Sequence, residues 1–311
     1  MQLTWTTTSV ETDAKLAYWR DAICATILNV VPEAGDANTF RGALTCRRVG
    51  GIKITSFSSS SHKIVRTPRH VSQSDDRNFL ISYQTAGRSL LSQGDGEVVL
   101  DPGEVGIING SQPFQADFLD DVSRAIAVVP AGMMYRRAPW LRRSCATKIG
   151  NGSPHAALAR ALFDSLAHEA HDDGGLATSL LVESLCNVVA ISTGGGGREG
   201  ESQAKIAELL AECCRRLGDP DLCPEKVAQS CRVSVRTVHH RFAAIGSTFG
   251  RWVLESRLER CLQDLQNPIY YASSISEIAF RWGFNDLSHF NKTFRRQFGV
   301  TPGAARRTTL S

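Results

Sequence analysis

Two stretches in the C-terminal third of this 311-residue chain repeat each other at a spacing of 51 residues. Val227-Ala228 is followed five positions on by Val233, and Ile278-Ala279 is followed five positions on by Phe284. Beyond that point Val238 and Phe242 correspond to Phe290 and Phe294 at an offset of 52, as one extra turn residue in the second copy requires. Each copy reads as a short helix bearing a small Ala for close helix contact, a tight turn with an apolar plug, and a second helix with apolar residues at i and i+4. That is the pattern of a helix-turn-helix. Gly283, just before the second plug, suits the positive φ such a turn needs, whereas the first copy has Arg232 there, a less comfortable choice. The competing reading is a plain helical bundle whose apolar periodicities happen to match.

Start and stop signals agree with the repeat. Pro224 suits a first helical position, Ser234 caps a helix starting at Val235, Asn267-Pro268 ends one, and Ser274-x-x-Glu277 forms a capping box. Burying Val238 and Phe242 leaves Arg236, His239 and His240 outward on one second-helix. Burying Phe290 and Phe294 leaves Ser288, His289, Asn291, Lys292 and Arg295 outward on the other. These side chains can donate to base edges and phosphates, and no acidic residue lies among them. Residues 203–311 carry 16 Lys+Arg against 10 Asp+Glu, while residues 1–202 carry 19 against 21, so the excess positive charge sits where a polyanion would dock.

Upstream, "STGGGGREGESQ" holds four consecutive glycines, which are costly to order, and predicts a flexible linker over 194–203. Residues 40–130 alternate β-branched runs with turn signals such as "QGDG" and "NGSQP" at 8 to 12 residue spacing, which predicts an antiparallel sandwich or barrel. In "NFLISYQ", Phe79, Ile81 and Tyr83 share one face and Leu80, Ser82 and Gln84 the other. Two helices follow, the second with an apolar stripe of Leu176, Leu180, Leu181, Leu185 and Val188; it fits packing on its own barrel, pairing with a second copy, or both. Nine cysteines without CxxC spacing favour buried thiols over a disulfide framework. The sequence offers neither a membrane-spanning run nor a secretory leader, which places the chain in the cytoplasm and away from membranes.

The segment "SISEIAFRWGFNDLSHFNKTFRRQFGVTP" resembles the signature of the AraC/XylS family of bacterial transcription regulators, with the IA, GF, F-x-x-x-F and GVTP elements in order; the match runs from Lys205 to Arg307. The resemblance implies an α+β chain of two domains: a cupin-like antiparallel β-barrel with flanking helices over 1–193 and an all-α domain with two helix-turn-helix units over 204–311. The units would be joined by a long helix at about Phe249 to Leu265, so that both recognition helices enter successive major grooves. Carried over, the contacts to double-stranded promoter DNA fall on Arg236, His239 and His240 in the first unit and on Leu287, Ser288, His289, Asn291 and Lys292 in the second. Leu287 and Cys223 depart from the pattern, the first by being apolar at a contact position and the second by standing where a Ser or Thr cap is usual.

The region from Asn78 to Phe118 resembles, more loosely, the cupin-like sensor domain of the same family. That implies a small organic effector, an aromatic acid or amine, held inside the barrel. Phe79, Ile81 and Tyr83 are the expected inward residues, Arg66 and Arg69 the expected partners of an acidic effector, and the 176–188 stripe the expected homodimer contact. An activator would also touch RNA polymerase. No cofactor or metal is expected. The enzyme alternative, a metal-dependent cupin, needs clustered ligands, and His62, His70 and the pair His168 and His171 do not supply a convincing set. A DNA-binding protein without an effector would leave the N-terminal half unexplained.

Overall fold

A computed structural model describes residues 2–74, 77–142, 146–168, 176–194 and 197–307. The chain divides into two compact units, residues 1–194 and 195–311.

The first unit is built on strands β1 (Gln2–Thr6), β2 (Val31–Glu33), β3 (Gly42–Val49), β4 (Ile52–Ser59), β5 (His62–Arg66), β6 (Asn78–Ala86), β7 (Ser89–Gln93), β8 (Gly96–Leu100), β9 (Val105–Asn109), β10 (Phe114–Phe118), β11 (Val122–Pro130) and β12 (Thr147–Ile149). They form two antiparallel sheets, ordered β1-β3-β4-β11-β6-β9-β12 and β2-β5-β10-β7-β8. Tight turns set the register. The β3–β4 pair closes Val49 against Ile52 across Gly50 and Gly51, both at positive φ (54° and 83°), the conformation that a two-residue hairpin turn demands.

Among the described residues five α-helices accompany the sheets: α1 (Lys15–Thr26), α2 (Pro68–Ser72), α3 (Ala131–Arg137), α4 (Pro154–His168) and α5 (Leu176–Thr193). The larger sheet is buried on both faces, and this produces two cores. On one side Trp19 and Ile23 of α1 meet Leu44, Phe57, Leu80, Leu91, Phe114, Phe118 and Ile126. On the other Ile54, Phe79, Ile81, Ile107 and Val129 meet Phe163 and Leu166 of α4 and Val182, Leu185 and Val189 of α5. This corrects the expected lining of the barrel. Phe79 and Ile81 pack in the helix-side core, where Tyr83 is stacked on Phe163 with ring centres 5.8 Å apart. Leu80 and Ser82 instead line the interior cavity. Period-2 alternation separates the two faces of a strand but does not say which faces the lumen when both are buried.

The stripe on α5 splits in the same way. Leu185 and Val188 are buried in the chain's own core and Leu181 is half-buried against it, while Leu180 is 54% exposed; the side chain of Leu176 lies outside the described residues. Ile191 on α5 and Leu158 on α4 are exposed as well.

Among the described residues the second unit is all helix: α6 (Gly197–Arg215), α7 (Pro224–Ser230), α8 (Val235–Ala244), α9 (Phe249–Gln266), α10 (Ile275–Arg281), α11 (Leu287–Phe298) and α12 (Pro302–Arg307). Helix α6 begins at Gly197, so most of the expected 194–203 linker is helical. Propagation adds a hydrogen bond for each residue fixed. Once Ile206, Leu209, Leu210 and Cys213 are packed, the helix extends backwards through the polar residues preceding them. Two small cores follow, one around Val227, Val238, Phe242 and Trp252, the other around Ile278, Phe284, Phe290 and Phe294. Helix α9, 18 residues and about 27 Å long at the usual rise, serves both: Trp252 and Val253 enter the first core, and Leu258, Cys261 and Leu265 the second.

Candidate DNA interface and ligand cavity

The repeat seen in the sequence recurs as a repeat of hydrogen bonds. The Val233 N–H donates to the Ala228 carbonyl at 2.9 Å, and the Phe284 N–H donates to the Ala279 carbonyl at 3.1 Å. In both copies the residue before the plug has positive φ, 52° at Arg232 and 78° at Gly283. One residue further along, the extra position in the second copy appears as the offset between the N-caps. Ser234 Oγ accepts from the Thr237 N–H at 3.1 Å, while Asp286 Oδ1 accepts from Ser288 and His289 at 2.7 and 3.2 Å. Helices α8 and α11 are thus the second helices of two helix-turn-helix units, oriented by plug, cap and buried aromatic.

A third device holds the turn of the second copy. Arg257 on α9 donates from Nε to the Leu217 carbonyl at 3.0 Å, from Nη1 to the Gly283 carbonyl at 2.9 Å and from Nη2 to the Asp219 carbonyl at 2.6 Å. One guanidinium therefore clasps the turn after α6 to the turn of the second helix-turn-helix. A Cβ at position 283 would lie 2.8 Å from Arg257 Nη2, so Gly283 answers to this contact as well as to its backbone angle. Nothing in the local sequence pattern announced Arg257, since an Arg on an amphipathic helix reads as a solvated charge.

Arg236, His239 and His240 on α8 and Ser288, His289, Asn291 and Lys292 on α11 are exposed, as are Arg295 and Arg296. Among the described residues, the side chains of Arg236, His240, His289, Asn291 and Lys292 make no hydrogen bond or ion pair within the chain. Leu287 is half-buried against the second core, which makes it a packing residue in the isolated chain. Cys223, as anticipated, stands at the start of α7 without a side-chain capping bond.

In the first unit the cavity inside the barrel is lined by Ile23, Ile27, Phe57, Ile64, Leu80, Ser82, Phe118 and Ile126, among others, together with one charged residue, Arg124. Arg124 is 4% exposed. Its Nη2 donates to Gln84 Oε1 at 2.7 Å and to Ser89 Oγ, its guanidinium lies 4.5 Å from the Phe118 ring centre, and Nε has no acceptor among the described residues. Burial lowers its pKa to about 9. Beside it His62 is neutral: the buried Nε2 accepts from Trp19 Nε1 at 3.1 Å and Nδ1 lies 2.9 Å from the Ser60 carbonyl, to which it donates. Burial is the chief cause that brings the His62 pKa down to about 4, with the Arg124 charge adding to it.

Arg66 is buried, with Nε and Nη1 donating to the Gly110 and Asn29 carbonyls at 2.9 and 2.6 Å, and it does not line the cavity; Arg69 is exposed on α2. The charge in the lumen is Arg124, which the sequence reading missed. Its signal was present in "VSRAIAVVP", where an Arg stands in register with Val122, Ile126 and Val128 on the apolar face of a strand. As for metal ligands, His70 caps α2 through Thr67, and no group of three or more His, Cys, Asp or Glu side chains among the described residues is arranged to hold an ion. The side chain of His168 and all of His171 lie outside the described residues.

Comparison with known proteins agrees with this geometry. Residues 19–192 match the AraC-binding-like domain family, and residues 227–308 match a helix-turn-helix domain family. The transcriptional activator NphR of Rhodococcus sp is 24% identical over 271 residues, covering 84% of this chain and 79% of that protein. The transcriptional activator RhrA of Rhizobium meliloti is 44% identical over 123 residues, 40% of this chain and 39% of that protein. The crystal structure of the AraC-like transcriptional activator CuxR superposes with a TM-score of 0.57 at 14% identity, covering 83% of this chain and 94% of that one, a likeness of fold. A cupin-like ligand-binding domain ahead of a helix-turn-helix domain is the make-up of a ligand-responsive DNA-binding transcription regulator, and the chain belongs to the AraC family of such regulators.

Proposed function

We propose that this protein is a non-enzymatic, cytoplasmic activator of a catabolic operon, whose barrel unit senses a small organic effector and pairs two copies, and whose helical unit reads promoter DNA. The observation that carries the DNA reading is the doubled helix-turn-helix, with equivalent plug bonds at Val233 and Phe284 and with second helices whose exposed polar side chains are cationic or neutral donors. Arg236, His239 and His240 would contact one major groove, and Ser288, His289, Asn291 and Lys292 the next. The apolar cavity with its few polar groups supports an effector site. The relatives NphR and RhrA are transcriptional activators, which supports activation, through contact with RNA polymerase.

The exposed Leu180, with Ile191 and Leu158, supports a homodimer contact on the outer face of α4 and α5 in place of the buried Leu185 and Val188. Pairing would raise the effective concentration of the second helical unit on a double site. Among the described residues no helix is long and apolar enough to cross a membrane.

The test is a reporter fused to the DNA upstream of the protein's own gene, combined with binding of the full chain to that DNA. Binding should exceed that to random duplex and fall as salt rises, because neutralised phosphates release counterions. Transcription that does not depend on the protein, or affinity indifferent to sequence and salt, would sink the proposal.

A further inference from the structure

The geometry points to a monocarboxylate with a compact apolar body as the occupant of the barrel cavity, its carboxylate held by Arg124. This rests on the ligand-responsive reading above and decides between the acid and the amine that the sequence left open.

A guanidinium taken out of water costs several kcal/mol unless an anion compensates it. Here the compensation is incomplete. The two groups that Arg124 meets, Gln84 Oε1 and Ser89 Oγ, are neutral, and both are served by Nη2 alone. The Phe118 ring at 4.5 Å and the Phe57 ring at 5.6 Å offset part of the cost through their π faces. Nε is left without an acceptor, and no carboxylate pairs with Arg124 among the described residues. The neighbouring His62 adds no charge, since Trp19 and the Ser60 carbonyl occupy both its ring nitrogens.

The cavity is therefore a cationic point in an apolar enclosure. A carboxylate supplies both the missing charge and the missing acceptor, whereas an amine would set a second positive charge against the first. The cavity volume is about 40 Å³, room for a few waters. A larger body has to displace some of the apolar lining to fit, to which Ile23, Ile27 and Leu28 on the α1 side contribute with Phe57 and Ile64.

The experiment uses the full-length protein and matched probes that differ in one group: benzoate, benzamide and benzylamine, with hexanoate and hexanamide as an aliphatic pair and formate as a bare anion. Calorimetric titration and thermal melting should show one or both carboxylates binding once per chain and raising Tm, with the matched amide weaker by about tenfold or more. The amine should not bind, and formate should have far less effect. Arg124→Met should abolish carboxylate binding while keeping or raising Tm, because an apolar residue of similar length suits this enclosure; Arg124→Lys should retain weakened binding and guards against a variant that fails to fold.

Equal binding of acid and amide, preference for the amine, carboxylate binding that survives Arg124→Met, or formate acting as strongly as benzoate would each overturn the assignment. If the amide or amine binds and alters DNA binding, the acid assignment fails while the ligand-responsive reading stands. If no probe binds and DNA binding is intact, the acid assignment fails, and a reporter indifferent to a wider panel of compounds would take the ligand-responsive reading with it.

Discussion

The first helix-turn-helix reaches with Arg232 and Cys223 the geometry that the second reaches with Gly283 and Ser274. Both turns carry a residue at positive φ, and both plugs donate to the Ala five residues back. In the second copy that residue is glycine, the preceding helix has a complete capping box from Ser274 and Glu277, and α11 starts on an Asp that accepts two N–H bonds. In the first copy a non-glycine sits at φ 52°, at a cost of about 1–2 kcal/mol, and α7 starts on a Cys without a capping bond. The turn is thus imposed by its plug, its Ala and its buried Phe, and local propensity only tunes how comfortably it is held. Tertiary packing supplies most of the stability of short helices.

Four sets of substitutions test this comparison, beginning with the largest effect. If the buried aromatics impose the turns, Phe242→Ala and Phe294→Ala should each destabilise the helical unit by about 3–5 kcal/mol, read as faster hydrogen exchange of the Val233 and Phe284 amides. A loss below about 1 kcal/mol at either position would mean that its core is not what holds its turn. The two copies should also be comparable as DNA readers: Arg236→Ala and Lys292→Ala should each weaken specific binding by about 1–3 kcal/mol in a titration with operator duplex. Unchanged affinity in one of them would leave a single reader.

Backbone conformation separates the copies next. Gly283→Ala should cost about 1–2 kcal/mol from the left-handed backbone, and more if Arg257 cannot yield to the added Cβ, whereas Arg232→Gly should stabilise by at most about 1 kcal/mol in thermal melts. Equal and opposite signs are not required, but destabilisation by Arg232→Gly would contradict the strain assigned to that residue. The smallest effect is expected at the missing cap. Cys223→Ser should add about 0.5–1 kcal/mol, visible as a slower exchange of amides in the first turn of α7, and a loss of stability would show that the thiol is doing something a hydroxyl cannot.

The helical unit was legible because its constraints are local. A plug five residues after an Ala and a Phe four residues after an apolar partner are fixed distances in the chain, and the structure turns them into hydrogen bonds and ring contacts such as that of Phe290 with Phe294, 5.5 Å between centres. The interior of the barrel was not legible to the same degree. Strand β6 is buried on both faces, so the alternation that groups Phe79 with Ile81 carries no sign of which group faces the lumen. Arg66 and Arg124 are both charges in strand sequence, and only the fold shows that one donates to the Gly110 and Asn29 carbonyls away from the cavity while the other stands in it. The glycine run was over-read in the other direction: helix α6, anchored by Ile206 and Leu209, claims residues 197–203 from the expected linker.

That two equivalent units read the same duplex is tested most directly by footprinting the full chain on sites selected from random duplexes. Two protected segments of one face are expected for each bound chain, about one helical turn apart, with Arg236→Ala exposing bases in one segment and Lys292→Ala loosening the other. Protection of a single segment, unaffected by either substitution, would contradict it.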